Sequence, residues 1–130
     1  MVFHPGIAAA DSASGAGDVD YRLQRRALLA DLEAGRVARH EVCDAHPELV
    51  RVANNCDTID GGSCPVCDRG EMALVHYVFG PRLAAGGKLA LTEADLDRYG
   101  RRSGDFAAYR VEVCAGCGWN HLLCRIILGT

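Results

Sequence analysis

The amino-acid sequence predicts an α+β fold: a small N-terminal helical unit packed on a zinc-ribbon-like three-stranded antiparallel sheet. Three observations carry this. Residues 19–55 are mostly helix formers with an apolar stripe, residues 72–128 contain three runs with strand composition, and two C-x-x-C pairs each abut one of those runs. At 130 residues the chain has room for one well-buried core, so residues 19–130 read as a single domain with a helical part (19–55) and a zinc-ribbon-like part (64–130).

Residues 1–18 are rich in Ala, Gly, Ser and Asp without periodicity and read as a flexible leader. The leader has no basic region ahead of its apolar stretch, which Pro5 and Gly6 interrupt, so a signal peptide is not expected and the protein reads as cytoplasmic. From Val19 to about Ala34 a helix is expected. Tyr21, Leu28, Leu29 and Leu32 lie along one stripe, Arg22, Arg25 and Arg26 lie on the other side, and Gly35 stands where a helix stop belongs. A second helical stretch begins near Arg39, and Pro47 opens a further turn running to Asn54–Asn55. The following loop, from Cys56 to Ser63, carries the turn signal Asp60-Gly61-Gly62.

Met72–Phe79 is rich in β-branched and aromatic residues and apolar on both faces, as a covered strand would be. Pro81–Lys88 reads as a loop, and Thr92-Glu93-Ala94-Asp95 resembles a capping box starting one short helix. Phe106–Val113 alternates, with Tyr109, Val111 and Val113 on one face and Arg110 and Glu112 on the other. In the last strand, Trp119–Leu128, simple alternation puts Leu122, Cys124, Ile126 and Leu128 on one face. The other face then carries Trp119, His121, Leu123, Arg125 and Ile127. That second face is either a partner surface, since Trp and Arg are enriched at hot spots, or is covered by the N-terminal helices through Tyr21, Leu28 and Leu32.

Composition narrows the function classes. The chain carries 14 basic residues, of which Lys88 is the only lysine, against 17 acidic ones, for a net charge of −3. An acidic balance argues against a general electrostatic grip on nucleic acid, which draws its strength from neutralised phosphates. No apolar run approaches the ~20 residues of a membrane span.

The seven cysteines are the chemical signal. An odd number at short spacings in a reducing compartment points to metal ligands, not to a disulfide framework. Cys64-Pro65-Val66-Cys67 and Cys114-Ala115-Gly116-Cys117 each form a tight turn that aims two sulfurs at one ion, and together they complete a tetrahedron. Four thiolates suit one structural Zn²⁺ and leave no open position for substrate, so Cys64, Cys67, Cys114 and Cys117 are the expected ligands. Cys43-Asp44-Ala45-His46 has ligand-like spacing too. It is either part of a second metal site, with His40 and Cys56 nearby, or a helix whose Cys43 is simply buried. Cys124 reads as core. A Cys64–Cys67 redox pair would need a strand–helix setting, whereas here the pair leads into a hairpin. No P-loop, GxSxG, HExxH, dinucleotide fingerprint or zinc-deaminase pattern is present, so no catalytic residues and no small-molecule substrate are expected.

Several spaced blocks carry a resemblance. Val19-Asp20-Tyr21, Arg25-Arg26-Ala27-Leu28-Leu29-Ala30, Gly35-Arg36, Glu41-Val42-Cys43-Asp44-Ala45-His46-Pro47 and Leu49 are among them, with the CPVC knuckle, Leu74-Val75 and Val78-Phe79-Gly80. Val111-Glu112-Val113-Cys114, Cys117 and Trp119-Asn120-His121-Leu122 close the set. Over about residues 19–129 these resemble an actinobacterial family catalogued as a domain of unknown function. The resemblance implies a small cytoplasmic zinc-ribbon-like protein of unassigned activity, and Cys56 and Cys124 fall outside the shared blocks. The function expected from all of this is a non-catalytic adaptor that docks on a protein machine, with transcription or ribosome machinery as its host. The alternative is nucleic-acid binding by the arginine-bearing helical unit, where Arg22, Arg25, Arg26, Arg36, Arg39 and Arg51 face Asp20, Asp31, Glu33, Glu41, Asp44 and Glu48.

Overall fold

A computed structural model describes residues 18–55, 62–68, 72–83, 86–90 and 93–129. Residues 1–17 of the expected leader, Cys56, the Asp60-Gly61 turn and Thr92 of the capping box lie outside the described residues. In chain order the elements are β1 (Val19–Asp20), α1 (Arg22–Glu33), α2 (Arg39–Val42), α3 (Pro47–Asn54), β2 (Ala73–Phe79), β3 (Lys88–Ala90), α4 (Glu93–Gly100), β4 (Phe106–Val113) and β5 (Asn120–Leu128). The fold is α+β, with an antiparallel sheet in the order β1-β5-β4-β2-β3.

The sheet has five strands, not three. Both additional strands are too short to show a periodic pattern, and each caps an edge. Val19–Asp20, expected to open a helix, pairs instead with Arg125 and Cys124 on the otherwise bare edge of β5. Asp20 then turns the chain into α1: its carboxylate accepts from the Arg22 backbone N–H (2.9 Å) and from the Arg22 guanidinium. Lys88–Ala90, which begins at the last residue of the expected Pro81–Lys88 loop, pairs with His76–Val78 at the far edge.

The helix stops follow local chemistry. α1 ends at Gly35, whose φ of +79° is the left-handed conformation that closes a helix at low cost. Pro47 stands at the first turn of α3, and His46 Nδ1 accepts the Glu48 N–H (3.1 Å) as its cap.

Both sheet faces are covered. On one, Ala73, Val75, Tyr109, Val111, Val113 and Leu122 pack with Tyr21 and with Leu49, Val52 and Ala53 of α3. On the other, α1 and α4 cover opposite ends. Leu28, Leu29 and Leu32 of α1 pack with Val42, Met72 and Trp119. Leu96 and Tyr99 of α4 pack with Val78, Phe106, Ala108, Ile126 and Leu128.

The simple alternation expected along the last strand is interrupted. A bulge lies where Arg110 pairs with Cys124 but Val111 pairs with Leu122. The extra residue, Leu123, leaves the ladder, and its carbonyl accepts the Tyr21 N–H (2.8 Å). Leu122 therefore faces α3 with Val111, while Cys124, Ile126 and Leu128 face the other side with Arg110, Ala108 and Phe106. Of the two readings of the Trp119 face, covering by α1 holds for Trp119, fully buried, and His121, nearly so; beyond the bulge Arg125 and Ile127 lie on the opposite sheet face, where Ile127 is 44% exposed. Tyr21 takes no part in that cover, because it packs on the opposite sheet face.

Candidate metal centre

The two C-x-x-C turns meet at one end of the sheet. The first precedes β2, the second joins β4 to β5, and the β2–β4 pairing of Ala73 with Val113 brings them side by side. Each turn is closed in the same way. The Asp68 N–H donates to the Cys64 carbonyl (3.0 Å) and the Gly118 N–H to the Cys114 carbonyl (2.9 Å). Asp68 and Gly118, one residue past each pair, both have positive φ (57° and 89°). Glycine is required at the second position for a further reason. A Cβ there would stand 2.9 Å from the Cys43 carbonyl oxygen.

The geometry suits one tetrahedral ion. The sulfurs of Cys64, Cys67, Cys114 and Cys117 all lie within 4.8 Å of one another. Cys64 to Cys117 is 3.6 Å and Cys67 to Cys114 is 3.7 Å. A tetrahedron with Zn–S bonds of about 2.3 Å has edges of about 3.8 Å, so Zn²⁺ fits this donor set. Backbone amides support the sulfurs: Val66 and Cys67 donate to Cys64 Sγ (3.4 and 3.5 Å), and Trp119 donates to Cys117 Sγ (3.4 Å). Burial pushes the Cys117 thiol up to about 12 and raises Cys64 and Cys114 as well. Without a cation the pocket favours neutral thiols; a bound dication favours thiolates, and its binding releases protons.

The third cysteine-bearing segment is placed differently from either expectation. His46 is occupied as the α3 cap, and among the described residues no second group of metal-ligating side chains forms around it. Cys43 is neither deep core nor part of a separate site. It is half-buried, with its sulfur 3.7 Å from Cys117 Sγ. The Cys43–His46 loop is fastened to the second knuckle by the Ala45 N–H on the Gly118 carbonyl (3.0 Å) and by Asn120 Nδ2 on Asp44 Oδ1 (3.1 Å). Cys124 lies away from the centre, opposite Arg110 on β4, and burial raises its thiol.

Sequence reasoning missed Glu112. It is only 3% exposed, and its Oε2 accepts from both Trp119 Nε1 (2.7 Å) and Arg25 Nε (2.6 Å). His121 stacks on Trp119 with centroids 5.9 Å apart and donates from Nδ1 to the Leu122 carbonyl (2.6 Å). His76, also buried, accepts from Arg110 Nε (2.8 Å). Burial, reinforced by that guanidinium, lowers its pKa to about 4, so it is neutral at pH 7. The arginines of the helical unit are largely paired: Arg22 with Asp20, Arg25 with Glu112, Arg36 with Asp31, and Arg51 with Glu48. Among the described residues no helix is long and apolar enough to cross a membrane.

Comparison with known proteins places the chain. Residues 15–130 match the model of DUF5318, a family of unknown function, and the chain belongs to that family. Among its relatives are the uncharacterized proteins Rv0049 of Mycobacterium tuberculosis and Mb0050 of Mycobacterium bovis. Each is 41% identical over 111 residues, which cover 85% of this chain and 81% of the relative. No solved structure matches.

Proposed function

We propose that this member of the DUF5318 family is a non-catalytic, zinc-ribbon-like adaptor that holds one structural Zn²⁺ and docks on a protein partner. The observation that carries the reading is the closed donor set: four cysteine sulfurs at tetrahedral spacing, which a single Zn²⁺ satisfies completely. A filled all-thiolate shell leaves no position at which the metal activates water or polarises a substrate. The metal's work is then to hold the end of the sheet where β2, the β4–β5 turn and the Cys43–His46 loop converge.

Nucleic-acid binding by the helical unit is the weaker reading, because four of its arginines already face a carboxylate within the fold. Paired charges on a net acidic chain release few counterions from a phosphate backbone. Metal content and a mobility-shift assay test the two together. One zinc per chain and no shift of RNA or DNA at low salt support the adaptor. Binding that weakens steeply with salt transfers the assignment to the helical unit, and protein purified without chelator that carries no metal removes the zinc.

A further inference from the structure

The zinc reading accounts for four of the five sulfurs at the centre and leaves Cys43 without a role. Its thiol is not one of the four mutually close ligand sulfurs, yet it lies as near to Cys117 (3.7 Å) as the ligands lie to one another. It is also held there. The Ala45–Gly118 and Asp44–Asn120 hydrogen bonds fasten its loop, and the Cys43 carbonyl occupies the space that a Cβ on residue 118 would need. Both Cys43 and Cys117 are half-buried, so a small oxidant can reach the pair.

We propose that Cys43 and Cys117 form a modification site: a peroxide-sensitive pair in which Cys43 resolves oxidised Cys117 as a disulfide, releasing the metal. The proposal rests on the zinc reading for its consequence, but not for the disulfide itself. The co-reactant is hydrogen peroxide. The Cys117 thiolate attacks one peroxide oxygen, an S–O bond forms, the O–O bond breaks and hydroxide leaves. The Cys43 thiol then attacks the sulfur of that sulfenic acid. The S–S bond forms, the S–O bond breaks, and the oxygen leaves as water with the Cys43 proton. Two electrons pass from the two sulfurs to peroxide. The sulfurs must close from 3.7 Å to about 2.05 Å, a movement that side-chain rotation and a small loop shift supply. Zinc, reduced to three thiolates, loses the closed shell that retained it.

Cys43 differs from the ligands in the way this chemistry needs. Its thiol is uncoordinated while the metal is bound, so it resolves the first oxidation before a second peroxide carries Cys117 to the irreversible sulfinic acid. The Cys124 thiol, on the far side of β5's bulge, is an internal control.

The test is zinc release from full-length, zinc-loaded protein treated with one equivalent of hydrogen peroxide, followed with a chromogenic chelator. Peptide mass spectrometry maps the disulfide. Wild type is expected to give a Cys43–Cys117 disulfide, with zinc returning after dithiothreitol and added metal. Cys43→Ser should slow release about tenfold and accumulate the unresolved sulfenic acid at Cys117, trapped with dimedone, while Cys124→Ser behaves as wild type. Cys43→Ala, which cannot hydrogen-bond to Cys117, must show the same slowing if the missing step is resolution. Wild-type release rates in both Cys43 variants, or a disulfide mapped only between ligand cysteines, overturn the proposal. If the purified protein carries no zinc, the zinc reading fails separately, and the mapped disulfide still decides this one.

Discussion

Replacing Glu112 removes the single acceptor that two separate elements share. Its Oε2 takes the Trp119 indole N–H at 2.7 Å and the Arg25 guanidinium at 2.6 Å, and the carboxylate side chain is 4% exposed. Glu112→Ala leaves a fully buried indole donor unsatisfied, which costs about 1–3 kcal/mol. It also strands a guanidinium whose partner was buried, and breaking such a pair costs about 3–5 kcal/mol. Arg25 is a quarter exposed and can swing toward water, so the combined loss sits at the lower end, about 4 kcal/mol. Glu112→Gln keeps an acceptor for the indole but loses the charge, and should cost about 1–2 kcal/mol. Arg25→Ala alone leaves Glu112 as an uncompensated buried carboxylate. The double variant should therefore cost clearly less than the sum of its parts. Urea titrations in saturating zinc, read by far-UV circular dichroism and by the fluorescence of the single tryptophan, measure the four variants against wild type without metal release intruding. Glu112→Ala within 1 kcal/mol of wild type, or strict additivity with Arg25→Ala, would refute the shared-acceptor account, with ~1 kcal/mol the value of an ordinary solvent-compensated hydrogen bond.

Cys64→Ser or Cys117→Ser should unfold the strand-rich end, since ligand loss forfeits much of the ~10–16 kcal/mol that a structural zinc lends to folding. Cys124, expected in the core, is half-buried, so Cys124→Ser, a hydroxyl in place of a thiol, should cost at most about 1–3 kcal/mol; equal damage by circular dichroism would mean the ligands are misassigned. His76 has a folded pKa of about 4 against an ordinary 6.5, so the unfolded chain binds the extra proton between those values. The stability involved is fully present above pH 6.5 and is lost as the pH falls toward 4. In urea titrations across that window wild type should lose up to about 3 kcal/mol more than His76→Gln, and parallel curves would contradict the shift. Gly118→Ala meets both a positive φ and the Cys43 carbonyl, and should lower stability by about 2–3 kcal/mol in thermal melts. A change under ~0.5 kcal/mol, the size of an ordinary surface substitution, would mean that the Cys43 loop is not tightly docked.

What could be read in advance was whatever repeats at short range. β4 was legible to the residue because Tyr109, Val111 and Val113 alternate with Arg110 and Glu112, and both knuckles because C-x-x-C is a local turn. β1 and β3 were hidden because two or three residues show no period; what makes Val19–Asp20 a strand is the bare edge of β5, more than a hundred positions away in sequence. The bulge was hidden for the same reason: Leu123 leaves the ladder with β4 and its carbonyl accepts from Tyr21, more than a hundred positions away, and everything beyond it changes face. Glu112 was placed only on the Arg110 face, because alternation says which face a residue lies on, not what covers that face. His46 is a related case, since C-x-x-H spacing on a helix suggests a ligand, whereas the helix in fact begins at Pro47 and the imidazole caps it.

These hidden contacts are linked, and they tie the four-cysteine cluster at one end of the sheet to the helices packed beside it. Cys117 Sγ takes the backbone N–H of Trp119; the Trp119 indole donates to Glu112; Glu112 holds Arg25 on α1. From the same knuckle, Gly118 and Asn120 hold the Cys43–His46 loop, and His46 starts α3 on the opposite face of the sheet. The helices on the two faces thus meet the four-cysteine cluster through one short stretch, Cys117–Asn120. α1 buries no residue completely, and its apolar side chains reach the core only through the cluster around Trp119 and Val42. A helix so placed depends on that cluster for its position more than on its own propensity. Disturbing the second knuckle should therefore reach α1 and the Cys43–His46 loop as well as the strand-rich end.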